Sequence, residues 1–60
     1  MEFHHLGIIV DDLKNSTIEF EESIGGIREG EVILDEKIGV AIQFIKDSSG
    51  ILYEFVQPIR

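Results

Sequence analysis

His5 and Glu54 are the two side chains of this sequence whose types and placement could do chemistry together. An imidazole nitrogen and a carboxylate oxygen are both ligands for divalent metals, and neither is informative alone. A lone His in a strand is more often structural than a ligand. A lone Glu in an apolar strand is harder to set aside, because a buried carboxylate without a partner is strongly unfavourable. If both stand on one sheet face they form half a metal site. Two copies related by a twofold axis would supply two His and two Glu. The two carboxylates would balance the charge of a divalent cation. With no Cys in the chain, the oxygen and nitrogen donors favour Mn, Fe, Co, Ni, Zn or Mg.

The elements that must position these residues follow from periodicity. Residues 3–10 read as a strand rich in β-branched side chains. Asp11-Asp12 then opens a helix, since an Asp side chain can accept from free backbone N–H groups and suits the positive end of the helix dipole. Leu13, Thr17, Phe20 and Ile24 recur at helical spacing and define its buried stripe. Gly25-Gly26 stops it, because Gly accepts the left-handed conformation after a last turn. Three more strands are predicted over 28–34, 38–45 and 51–57. Asp35-Glu36-Lys37 is a polar turn, the 46–50 segment is a hairpin loop ending in Gly, and Pro58 ends the last strand. The predicted fold class is α+β. A single βαβββ module over residues 1–60 lays one helix on one face of a four-stranded mixed sheet.

One helix covers one face. Alternation predicts Leu6, Ile8, Val10, Val40, Ile42, Phe44, Tyr53 and Phe55 on the helix side. It predicts His5, Gly7, Ile9, Ala41, Gln43, Ile45, Leu52, Glu54 and Val56 on the other. An apolar face holding a few convergent polar groups is what a ligand cleft or an interface presents.

Composition limits the classes of function. The chain has 60 residues, with 12 acidic and 5 basic side chains and a formal net charge of −7. Nucleic acid is disfavoured, because it requires a Lys/Arg surface to neutralise phosphates. No apolar run approaches the roughly 18 residues of a membrane span, so no membrane partner is expected. The absence of Cys fits a cytoplasmic chain. A chain this short buries only about 60% of its unfolded surface and usually needs a staple. Without disulfides, the candidates are a metal and a second copy of the chain, so a homo-oligomer is expected.

The stretch FHHLGIIVDDLKNSTIEFEESIGG resembles the opening of a vicinal oxygen chelate module, the family of glyoxalases, bleomycin-resistance proteins and extradiol dioxygenases. His5-Leu6-Gly7 fits the family's first strand, and Val10-Asp11-Asp12-Leu13 fits the segment that opens its helix. Phe20 through Ile24-Gly25 fits the helix end, and GVAIQFIKDSSGILYEFVQP resembles the last two strands. The likeness covers nearly the whole chain. It is greatest to the first module of glyoxalase I and of methylmalonyl-CoA epimerase-like proteins. Glu19 departs from it, standing where an aromatic is common, and family members usually carry two modules in one chain.

The resemblance implies that His5 and Glu54 are metal ligands, that a divalent metal is the cofactor, and that Glu54 is also the catalytic base. It implies lyase or isomerase chemistry on a small oxygen-chelating substrate, in a cleft formed by two modules. A metal-free, ligand-sequestering protein of the bleomycin-resistance type is the alternative, along with an inactive truncated module. The acidity favours cationic ligands and so leans towards sequestration. The presence of both His5 and Glu54 leans towards the enzyme.

Overall fold

The structure, a computed structural model, describes residues 6–59. Its elements run β1 (Leu6–Ile9), α1 (Leu13–Ile24), β2 (Ile27–Asp35), β3 (Val40–Lys46) and β4 (Leu52–Pro58). They build one sheet in the order β1-β4-β3-β2. The β1–β4 pair is parallel, while β4–β3 and β3–β2 are antiparallel. The predicted α+β fold with one helix and a four-stranded mixed sheet is therefore the observed one.

The helix begins and ends as its sequence dictates. Asp12 is the N-cap, and its carboxylate accepts from the Asn15 N–H at 3.1 Å. Gly25 closes the last turn in the left-handed region at φ 69°, where a side chain would be strained. Leu13 and Thr17 are buried and Phe20 packs on the core, while Ile24 is left exposed. The Thr17 hydroxyl donates to the Leu13 carbonyl at 2.7 Å, so its burial leaves no donor unpaired. Phe20 meets Tyr53 and Phe55 edge-on at centroid distances of 4.9 and 5.2 Å, an arrangement that suits the ring quadrupoles.

The predicted faces require a correction. Val40, Ile42 and Phe44 do not face the helix; Ala41, Gln43 and Ile45 do. The pairing makes this unavoidable. Ile45 stands opposite Tyr53 and Gln43 opposite Phe55, with Ala41 opposite Gln57. Directly opposed residues share a face, so the side chosen by Tyr53 and Phe55 decides the side of β3. A five-residue loop over 47–51 sets that register. It is held by hydrogen bonds from the Asp47 N–H to the Ile51 carbonyl and from the Gly50 N–H to the Asp47 carbonyl. The strand β3 also starts two residues later than predicted, because Ile38 and Gly39 belong to the turn. There the Asp35 carboxylate accepts from the Lys37 and Ile38 N–H groups, and its carbonyl from the Gly39 N–H.

The core is small. Among the described residues, Leu13, Ile45 and Phe55 are its buried apolar members, flanked by Val10, Phe20, Ala41 and Tyr53. Each fully buried side chain of this size contributes about 1.5–3 kcal/mol, against a chain-ordering cost of about 1–2 kcal/mol per residue.

Candidate functional site

The face turned away from the helix is the candidate site. Its central strand is β4, which presents Leu52, Glu54 and Val56 there. The neighbouring β3 adds Val40, Ile42, Phe44 and Lys46 by register. From β1, Gly7 stands opposite Glu54 and Ile9 opposite Val56. From β2 come Ile27, Glu29 and Ile33, opposite Lys46, Phe44 and Ile42. Much of this apolar surface is open, with Ile9 77% and Ile27 68% exposed.

Glu54 is thus a half-buried carboxylate near the middle of an apolar sheet face. On one side it has the Phe44 position and on the other Gly7. Among the described residues, a Cβ placed on Gly7 would meet no atom within 4 Å. Lys46, diagonal to Glu54 in the ladder, lies 3.9 Å from Glu29 on the same face.

His5, the expected nitrogen ligand, lies outside the described residues. Among the described residues no three His, Cys, Asp or Glu side chains gather closely enough to hold a metal ion. A carboxylate is a fitting donor for any of the oxygen-preferring divalent metals. A metal on this face would therefore need donors beyond Glu54, from His5 or from a second copy. Gln43, predicted on this face, is on the helix side and does not contribute to it.

Two polar arrangements escaped the sequence reading. At the β3–β4 hairpin the Tyr53 hydroxyl donates to Asp47 Oδ2 at 2.9 Å. The other Asp47 oxygen accepts from the Ser49 and Ile51 N–H groups at 2.9 and 3.0 Å. These donors, the Ile51 N–H foremost, hold the Asp47 carboxyl below its ordinary pKa, and the Asp47 carboxylate raises that of Tyr53. An Asp at the start of a hairpin loop is a recognisable loop-closing signal, but its bond to Tyr53 is set by register.

The second arrangement lies between the helix and β2–β3. Gln57 Oε1 accepts from the Leu13 N–H at 2.7 Å, tying the end of β4 to the first turn of α1. Gln43 is 2% exposed, and its Nε2 donates to the carbonyls of Gly30 and Phe44 at 3.1 and 2.9 Å. The Gly30 carbonyl is available because β2 bulges there. The three residues 30–32 stand opposite Gln43 alone, with Gly30 at φ 78°.

No protein-family model and no curated protein matches the sequence. Among the described residues, no helix is long and apolar enough to cross a membrane.

Proposed function

We propose that this chain is a vicinal-oxygen-chelate-like half-module that pairs with a second copy through its open sheet face. The paired cleft holds a divalent metal with His5 and Glu54 from each copy. The observation that carries this reading is Glu54 itself, set near the middle of an apolar face opposite Gly7. A carboxylate set among apolar side chains calls for a cation, a hydrogen-bond donor or water beside it, and a metal meets that need.

The second copy is supported by the small core and by the exposed Ile9, Ile27 and Ile33. The molecule measures 33 × 30 × 17 Å, so its broad face exceeds the about 800 Å² that each partner gives to a standard interface. The cytoplasmic setting suggested by the Cys-free sequence goes with this reading.

When bound, the metal supplies Lewis acidity towards two neighbouring oxygens of a substrate. The protein's own part falls to Glu54. Its carboxylate would take the proton from the hydroxyl-bearing carbon of a hydroxy-carbonyl compound and return it to the neighbouring carbonyl carbon, while the hydroxyl proton passes from one oxygen to the other, leaving Glu54 ionised again. Isomerisation of a small hydroxy-carbonyl compound is the class of reaction that would result. The metal-free reading is favoured by one fact, the net charge of −7, which suits sequestration of a cation.

Metal analysis separates the two. The enzyme reading expects a stoichiometric divalent ion in the purified protein, lost in both His5→Ala and Glu54→Gln. Metal content unchanged by either substitution overturns it.

A further inference from the structure

A cavity of about 370 Å³ opens between α1 and the β2–β3 edge, on the opposite side of the sheet from Glu54. That is at the small end of the about 300–1,000 Å³ typical of ligand pockets. Its inner end is buried, formed by Leu13, Thr17 and Gln43, and its mouth is exposed, carrying Asp12, Lys14 and Arg28. Val32, from the bulged segment of β2, forms part of the wall.

Gln43 is the second, independent sign of a ligand. It is 98% withdrawn from solvent by its 2% exposure. Both N–H groups of its amide are used, on Gly30 and Phe44, while no donor reaches its Oε1 among the described residues. Among the described residues no fully sealed side-chain polar atom lacks a partner, so this oxygen keeps a trace of solvent contact, and Gln43 lines the cavity. A buried amide whose donors are fixed and whose acceptor is free presents a directed hydrogen-bond acceptor. The mouth has a different character. Arg28 is held by Glu21 at 2.7 Å, and the Asp12 carboxylate is occupied with the helix N-terminus. Lys14 has no ion-pair partner among the described residues. Two of the 5 basic residues of a chain with net charge −7 therefore line one small cavity.

We propose that this cavity binds a small α-hydroxy- or α-amino-carboxylate. The hydroxyl or amino donor meets Gln43 Oε1 at the inner end, and the carboxylate meets Lys14 and Arg28 at the mouth. The bulge at Gly30 serves the site, because it supplies the carbonyl that fixes the Gln43 amide with its oxygen free. The proposal is independent of the metal cleft and concerns the other side of the sheet.

The test is an NMR titration of the uniformly ¹⁵N-labelled chain with glycolate, glycerate and serine, each beside a donor-blocked control, methoxyacetate. Saturable shifts are expected for the Gln43 side-chain amide and for the Leu13, Lys14 and Arg28 backbone amides. Methoxyacetate should bind about three- to tenfold more weakly, the size of one lost hydrogen bond. Val32→Phe, at an exposed position that can fill the cavity without disturbing the core, should abolish the shifts, and Lys14→Glu should weaken them. If none of the three compounds gives a saturable shift, the cavity holds only water and the proposal fails. Methoxyacetate binding as well as glycolate, or Val32→Phe leaving the affinity unchanged, also overturns it.

Discussion

Glu54 stands directly opposite Gly7 across the parallel β1–β4 pair. A small side chain at position 7 would place atoms beside the carboxylate, and among the described residues a Cβ there meets nothing within 4 Å. Gly7→Val should therefore keep or raise thermal stability, because Gly in a strand is less favourable than a residue with a side chain by about 0.5–1 kcal/mol. The same change should weaken divalent-metal binding by about 10–100-fold, as alterations next to metal ligands do. Thermal melting and a cobalt titration read the two effects separately. Metal affinity unaffected by Gly7→Val would place the metal elsewhere.

The hairpin has its own pH dependence. The Asp47 carboxyl is held below its ordinary pKa by the Ile51 N–H first, with help from Tyr53. A lowered acid stabilises the fold above its unfolded-state pKa, and this is lost as pH falls through the folded one. Tyr53 is raised by Asp47, so its contribution is present below the ordinary tyrosine range and is lost as pH rises through the elevated value. Tyr53→Phe should move the Asp47 midpoint upwards in an NMR pH titration and leave the Ser49 and Ile51 amides bonded. An unmoved Asp47 midpoint would mean that the hydroxyl bond is not formed in solution.

Gly26 is required by packing. A Cβ there would lie 2.7 Å from Phe20 Cδ2 and 3.1 Å from Ile45 Cδ1, where ordinary contacts are longer. Gly26→Ala should destabilise the chain by about 1–3 kcal/mol, the usual range for overpacking a core. Urea unfolding should show a lower midpoint with an unchanged slope. Stability equal to that of the parent would mean that Phe20 repacks freely.

The helix was legible because each of its signals is local. Asp12, the Leu13-Thr17-Phe20 stripe and Gly25 act within one element and are where periodicity put them. The phase of β3 was harder, because alternation gives a period of two but not its side. The five-residue hairpin loop does give the side, since it pairs odd residues with odd, and Tyr53 and Phe55 then carry Gln43 and Ile45 with them. A polar Gln next to a bulky Phe44 reads as the outward residue, yet the Gly30 bulge gives its amide an acceptor inside. That bulge depends on β2 pairing with β3, so residues 28–34 alone look like a plain strand. Glu54 lies on the face away from the helix, as the clean alternation of β4 predicts.

The central claim is that two copies share a metal through Glu54, and native mass spectrometry of the cobalt-loaded chain tests it most directly. It reads assembly and metal content in one spectrum. The prediction is a dimer of the 6.8 kDa chain carrying a bound divalent ion, with Glu54→Gln giving the dimer without the ion. A monomer, or a dimer whose ion survives Glu54→Gln, would contradict it.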